Sequence, residues 1–494
     1  MRSKFKHNVI FLYGIIVFIA LLPRIYFILF SSTGGGDWDI YSTVAENILS
    51  GCGVSLSVPG GTECNPHFGG NQGPGYPAFV ALVWYLSEHS DMAVRFLQMT
   101  FGVLSIVYMV RSIHLYTASY KAAILVGLVL SLSPLEVAWS RYLQTETLAL
   151  AGTLWIFSEL INSLYESRLR VMHISFALIL TTFIRLDAVL LTIPIAVVAF
   201  LIYKPIIAIK KGMIIAVILS LPWGLWLVRN SLVGMENILP QPMVLPNNAP
   251  APTGYLKWVS TWTTEEYQRP GSQFPVTRFM YDKIQIDEKA YESKEERKKV
   301  EILLNELKKY TGKAFPIHID RQFLDIANER VHNNLVSYLI LNPLLRIKSL
   351  WLNIYNGFRW PTELPSKVTH AERLEIARGG LESKIDMALR YPSIALGKAV
   401  VNVWRLALYI VFIFSVYMLL ISSHKYAFDK KYKHLLYMIV SFIIARSVFS
   451  GMGNYIETRY TLAVMPLLEI LSTIVILRYT LYVKNNNSIA KHND

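Results

Sequence analysis

The chain has 494 residues, of which 53% are apolar and only 17% charged, and a net charge of +14. Several apolar runs exceed the length that crosses about 30 Å of hydrocarbon. That excludes a water-soluble globular protein and makes the chain an integral membrane protein, because in lipid only a helix or a closed barrel satisfies its own backbone. The basic residues are scattered among short loops instead of forming one stripe, which argues against a nucleic-acid partner. A cytoplasmic bias of Lys and Arg accounts for the charge, with anionic lipids as further partners.

In chain order, spans are predicted near 8–30, 92–113, 119–137, 146–165, 213–230, 398–421, 433–450 and 459–482. The run 171–204 is too long for one span and short for two, and Arg185-Leu186-Asp187 interrupts it. Charge placement decides how to read it. Basic residues cluster at Arg2, Lys4 and Lys6; at Arg168 and Arg170; at Lys204, Lys210 and Lys211; at Lys425, Lys430, Lys431 and Lys433; and at Lys484, whereas 31–90 holds no Lys or Arg. All clusters face one side only if 171–204 is a hairpin of two short helices. The expectation is therefore an all-α polytopic protein of about ten transmembrane helices, with both termini in the cytoplasm and Arg185 and Asp187 at the outward tip of the hairpin.

The segment 8–30 is long, carries Arg24 and lacks a small-residue cleavage site, so it reads as a retained first span. The apolar stretch 76–86 is too short to cross and reads as an interfacial helix. Cys52 and Cys64 both fall in the first outer loop, where an oxidising space favours a disulfide; two unpaired thiols are the alternative.

Three parts emerge without an internal repeat: 1–230, with the first seven spans and the first outer loop (31–90); 231–397, a more polar outer domain; and 398–494, with three spans and a short polar tail. The outer domain opens on a Pro-rich stretch, 239–252, expected to be irregular. Aromatics Tyr255, Trp258, Trp262 and Tyr267 follow. Helices are expected over 287–309, with Glu296 and Lys299 at helical spacing, over 320–341, and over 343–355, the last resting on the membrane surface. The domain reads as an acceptor-binding unit or, more simply, as a lid.

The residues that suggest chemistry begin at Gly36-Asp37-Trp38-Asp39-Ile40-Tyr41. Asp37, Tyr41 and Ala45 stand at i, i+4 and i+8, on one face of a helix that starts near Asp37 or Asp39, and either aspartate suits an N-cap. Gly73-Pro74-Gly75-Tyr76-Pro77 lies further along the loop. Then come Ser133-Pro134, Thr145-Glu146-Thr147-Leu148, Ile184-Arg185-Leu186-Asp187, Pro222-Trp223 with Arg229-Asn230, and Glu457-Thr458-Arg459-Tyr460 with Pro466. Taken in this order and on this membrane side, the set resembles the GT-C glycosyltransferases, in particular the protein mannosyltransferase-like branch that includes the lipid A aminoarabinose transferase. The resemblance covers 1–230 and 430–480; the outer domain matches loosely.

The resemblance implies a GT-C fold in a bacterial inner membrane, with interfacial helices in the first outer loop, a small mostly helical periplasmic domain and a periplasmic active site. It implies an inverting transfer of a sugar from a polyprenyl-phosphate donor to a cell-envelope glycan, lipid or protein. Asp37 is the expected general base, and Glu146 a second carboxylate, although a carboxylate at a helix N-terminus is also simply favourable there. Asp39, Tyr41, Tyr76 and Tyr460 are candidate substrate contacts. Arg141, Arg185, Arg229 and Arg459, at outer ends of spans, are candidates to grip the donor phosphate or to pair structurally. The family often places a Lys or Arg just before its Pro-Gly-Tyr-Pro-like element; Gly73 stands there, with His67 the nearest cation and backbone amides of the Gly-rich segment a further option. No cofactor is expected: the histidines are dispersed, and only the pair Asp37 and Asp39 suggests a divalent ion. The rival readings are a lipid-linked sugar transporter or flippase, for which the missing repeat is unfavourable, and a glycan polymerase or ligase with a diphosphate-linked donor.

Overall fold

The computed structural model describes residues 2–30, 37–55, 73–234, 245, 249–353, 381–421, 428–453 and 456–490. Among these residues every regular element is helical. Seven helices are long and apolar enough to cross a membrane: Phe11–Phe30, Asp91–Thr117, Glu146–Glu166, Pro205–Leu232, Pro392–Leu420, Lys430–Met452 and Met465–Lys484. Three further apolar helices, Tyr120–Leu132, Val171–Ile184 and Leu186–Ile202, fall where the remaining expected spans were placed but are shorter. The chain is thus a helical, multi-pass membrane protein.

We number the helices that matter here α1 (Arg2–Phe30), α2 (Trp38–Leu49), α3 (Gly75–Ser87), α4 (Asp91–Thr117), α5 (Tyr120–Leu132), α6 (Pro134–Trp139), α7 (Glu146–Glu166), α8 (Val171–Ile184) and α9 (Thr192–Ile202). A 3-10 turn, Leu186–Leu191, joins the last two. Local chemistry sets their ends. Ser90 caps α4 by accepting from the Ala93 amide at 3.2 Å, and Ser119 caps α5 in the same way from Ala122; such caps satisfy otherwise orphaned amides. The expected span 119–137 is in fact two helices. Pro134 has no amide hydrogen and disfavours helix at Ser133, so α5 stops at Leu132 and α6 starts afresh.

The long helix α10 (Pro205–Leu232) exposes Met213, Val217, Leu221, Leu225 and Val228 along one stripe. An apolar stripe turned outward is what a lipid-facing helix presents. α7 is mostly buried and packs on α4 and α8.

The outer domain has its own core. Tyr255, Trp258 and Val259 of α11 (Thr253–Trp262) pack with Phe315, Ile319 and Phe323. The expected charged helix is α12 (Lys294–Leu307), shorter than 287–309 because Ser293 caps it from the Glu296 amide at 3.0 Å. The expected helix 320–341 is not continuous. α13 (Ile317–Asn333) ends where Asn334 leaves helical backbone at φ −144°, and the chain bends by 98° into Ser337–Leu352. This second limb, which includes α14 (Asn342–Leu352), exposes Leu339, Ile340, Leu341, Leu344 and Leu352. Its Arg346 is buried and donates to the carbonyl oxygens of Thr263 (2.9 Å) and Gly451 (3.0 Å). The limb is thereby pinned to the bundle at the end of α17 (Lys430–Met452), which follows α15 (Leu381–Arg390) and α16 (Pro392–Leu420). α18 (Met465–Ala490) completes the chain.

One end of the bundle gathers the start of α2, the start of α7, the break between α8 and α9 and the link between α17 and α18. The opposite end carries Lys121, Arg168, Arg170, Lys204, Lys430 and Lys431.

Candidate active site

The first of these two ends holds a network of buried charges. Asp37 takes the N-cap position of α2, yet its side chain caps nothing. Its carboxylate instead meets Arg459 at 3.3 Å, across 422 residues of sequence. The capping alternative for Asp37 is therefore not what the structure has. Asp39 is exposed, and no described residue forms an ion pair with it.

α2 does stack Asp37, Tyr41 and Ala45 on one side. Ala45 is buried, and the Tyr41 ring meets the Tyr76 ring edge-on at 4.9 Å. Tyr76 is fully buried and donates to Gln98 Oε1 at 3.3 Å, while Gln98 Nε2 donates to the Tyr142 carbonyl at 2.5 Å. Burial first, then the nearby charges of Asp37 and Glu146, raise the Tyr41 hydroxyl well above its usual range, so it stays a neutral donor.

Gly73 and Gly75 explain how this loop reaches the hairpin. A Cβ on Gly73 would stand 2.5 Å from the Phe183 carbonyl oxygen, and one on Gly75 would stand 2.7 Å from the Phe183 carbonyl carbon. Only glycine allows backbone to lie on backbone there. The segment thus docks Tyr76 against the end of α8, one residue from Arg185.

Arg185 is the hub. It donates to Glu146 at 3.0 Å, to Thr145 at 3.1 Å, and by two parallel bonds of 3.2 and 3.1 Å to Asp187. Arg446 meets Asp187 at 3.0 Å and donates to the Tyr460 carbonyl at 2.8 Å. Arg459 reaches Glu146 at 3.5 Å and Glu457 at 2.5 Å, and Arg269 of the outer domain reaches the same Glu457 at 2.7 Å. The Tyr460 ring lies between two guanidinium groups, 5.7 Å from Arg185 and 5.6 Å from Arg459, a cation–π arrangement. Glu266 accepts from the amide and hydroxyl of Thr458, at 3.2 and 2.7 Å, and so ties the outer domain to the same link. Burial works against the charge of Arg459, but Glu457, Glu146, Tyr460 and Asp37 outweigh it and hold the group well above its usual value.

The other candidates stand as follows. Arg141 is buried with its guanidinium over the Tyr142 ring, at 4.5 Å. Arg229 donates to the Val54 carbonyl at 2.8 Å and to Asn230 at 3.1 Å, pinning the stretch that follows α2 to α10. Cys52 is disulfide-bonded; Cys64 and His67 lie outside the described residues.

The structure thus brings Asp37, Tyr41, Tyr76, Glu146, Arg185, Arg459 and Tyr460 into one cluster. Sequence reasoning passed over four of its members. Arg446 had a readable signal, since an arginine inside an apolar span is costly and needs a reason. Glu457 lay within a motif already singled out, beside Arg459. Arg269 and Glu266, on two successive single helical turns, Glu266–Gln268 and Arg269–Ser272, carried none.

The sequence matches no known family model and no characterised protein, and the fold matches no solved structure. The chemistry therefore has to be argued from the cluster itself. A surface of arginines around one accessible carboxylate can hold an anionic group and accept a proton beside it.

Proposed function

We propose that this chain is an inverting glycosyltransferase of the GT-C type, acting at the periplasmic face of a bacterial inner membrane on a sugar carried by a polyprenyl phosphate. The observation that carries the reading is the exposure of Asp37. Its side chain is 45% exposed, against 5% for Glu146, 15% for Asp187 and 16% for Glu457. Of the carboxylates in the cluster it is the one that an alcohol can reach.

In this reading the acceptor hydroxyl gives its proton to Asp37 while its oxygen forms the new bond at the anomeric carbon. The bond from that carbon to the phosphate oxygen breaks, and the phosphate leaves with the electron pair. Arg459 and Arg185 hold the phosphate and stabilise the charge it gains, and Tyr41 donates a hydrogen bond nearby. Attack opposite the leaving group inverts the anomeric centre. The arrangement supplies alignment as much as chemistry. Charge supports the periplasmic placement: the cluster lies at the end of the bundle opposite the basic loops. The acceptor is a cell-envelope glycan, lipid or protein, met by the outer domain that Arg269 joins to the cluster.

The test is mass analysis of surface glycans and lipid-linked sugars in cells lacking the protein. The expected result is loss of one sugar from a glycan, accumulation of its polyprenyl-monophosphate donor, and rescue by the wild-type chain but not by Asp37→Asn, with both inserted in the membrane. Full rescue by Asp37→Asn rejects the assignment of the base. Accumulation of a diphosphate-linked donor points to a polymerase or ligase, and loss of the sugar with its donor trapped on the cytoplasmic side points to a flippase.

A further inference from the structure

We infer that Asp37 and the donor's phosphate are alternative partners of Arg459, so that the base is held idle until the donor is bound. This deepens the function proposed above and rests on it. Each arginine of the cluster already faces a carboxylate: Arg185 faces Glu146 and Asp187, Arg446 faces Asp187, Arg269 faces Glu457, and Arg459 faces Asp37, Glu146 and Glu457. A phosphoryl group enters this balanced set only if an existing contact gives way.

The contacts are unequal. Asp187 is held by two parallel bonds from Arg185 and by Arg446 as well. Glu457 is gripped by Arg459 and Arg269 at 2.5 and 2.7 Å. Glu146 is nearly enclosed and accepts from Arg185 at 3.0 Å. Stranding any of these carboxylates without a cation in a desolvated place is costly. Asp37 has a single cationic partner among the described residues, at 3.3 Å, and is the most exposed of the four. Half-exposed pairs are the weak ones, and water can replace the lost contact. The pair that yields is Asp37–Arg459.

Arg459 is also suited to the exchange. Its Nε side keeps the ion pair with Glu457 while Nη1, which meets Asp37 at 3.3 Å and Glu146 at 3.5 Å, turns to the phosphate; Glu146 retains its bond from Arg185. A guanidinium offers parallel donors that match phosphate oxygens. The same movement leaves the Asp37 oxygens without a cation and free to accept the hydrogen of an acceptor hydroxyl. Donor binding therefore precedes productive acceptor binding, and the acceptor site is completed by the donor.

The test measures binding of a short-chain polyprenyl monophosphate to the full-length protein in detergent, by titration calorimetry. If Asp37 competes with the phosphate, removing its charge tightens binding. Asp37→Asn and Asp37→Ser are expected to bind at least about fivefold more tightly than wild type, the effect of one unit charge at ~4 Å in a watery setting, although they lose transfer. Asp37→Ser repeats the test should the asparagine variant not fold. Glu46→Gln, which removes an exposed carboxylate from the same helix, is expected to stay within about twofold of wild type, because exposed charges are screened. Arg459→Gln is expected to lose the gain. The matching polyprenyl alcohol, phosphatidylglycerol and inorganic phosphate separate the polyprenyl phosphate from chain, headgroup and free anion. Equal or weaker binding by both Asp37 variants overturns the competition and leaves the proposed function standing. A gain of equal size with the alcohol or with phosphatidylglycerol overturns it too. If wild type binds no polyprenyl phosphate at all, the donor assignment itself fails, and this inference with it.

Discussion

Arg269 and Glu457, 188 residues apart, meet at 2.7 Å and join the outer domain to the charged end of the membrane bundle. Glu457 is also the partner of Arg459, the residue that faces Asp37. One carboxylate thus connects the domain expected to meet the acceptor with the arginine expected to meet the donor. The pair is shielded, with side-chain exposures of 12% and 16%, so it is worth more than a surface ion pair. Arg269→Gln should lower kcat/KM for transfer by about tenfold to a hundredfold, through misplacement rather than loss of a reacting group. Steady-state transfer assays check this; unchanged kinetics would show that the link is structural only.

Asp187 balances two arginines, Arg185 and Arg446, at the break between α8 and α9. Removing one partner from such a set strands buried charge. Asp187→Ala should destabilise the protein by about 3–5 kcal/mol, seen as a lower unfolding midpoint in detergent. Adding Arg446→Met to Asp187→Ala should recover part of that loss, since one of the stranded cations is gone and the remaining space is apolar. A double variant as unstable as the sum of the two single changes would show that the sites are independent.

Much of this arrangement was legible in the sequence, and the rest was not for physical reasons. Long apolar runs announce spans because lipid length and backbone satisfaction leave few options. The i, i+4 spacing of Asp37 and Tyr41 put both on one face of a helix, and they lie so in α2. The break at Pro134 was written in the chain but was outweighed by the continuous apolar run around it. The bend after Asn334 was hidden because an apolar stripe at helical spacing continues through it, so periodicity registered one helix where the backbone makes two. The pairing of Asp37 with Arg459 is beyond local pattern altogether, because it depends on how the two ends of the chain meet.

A second buried charge group makes a prediction about stability. Arg24 donates to the carbonyls of Ala20 (2.9 Å) and Ser131 (2.8 Å) and reaches Glu136 at 3.4 Å. Glu469 is buried beside them and accepts from Ser133 at 2.8 Å and Trp404 at 3.0 Å. One guanidinium thus serves two enclosed carboxyl groups. Glu136 and Arg24 are both enclosed, with side-chain exposures of 7% and 4%. Removing one partner of such a pair leaves the other buried and uncompensated, so Glu136→Ala should lower stability by about 3–5 kcal/mol, seen as a lower unfolding midpoint in detergent. An unchanged midpoint would show that the pair contributes nothing to holding α1 against α6.

The last prediction concerns the seam between the first loop and the hairpin. A methyl group on Gly75 would sit 2.7 Å from the Phe183 carbonyl carbon and 2.8 Å from its oxygen, and both are main-chain atoms that cannot step aside as a side-chain end can. By contrast, nothing lies within 4 Å of a Cβ built on Gly212 or Gly224, both in α10. Gly75→Ala should therefore push α3 off the end of α8, at about 1–3 kcal/mol, and carry Tyr76 with it. Because Tyr76 backs Tyr41 at 4.9 Å, and Tyr41 lies one turn from Asp37 on the same helix, a shift of this kind should depress transfer far more than it depresses membrane insertion. Gly224→Ala, in the lipid-facing helix, should leave both unchanged or slightly raise stability, since alanine is the better helix former. Comparing the two variants for surface-glycan product and for detergent-extracted protein yield decides the matter. Equal loss in both would mean that the bundle tolerates no added methyl anywhere, and that the seam has no special place in the chemistry.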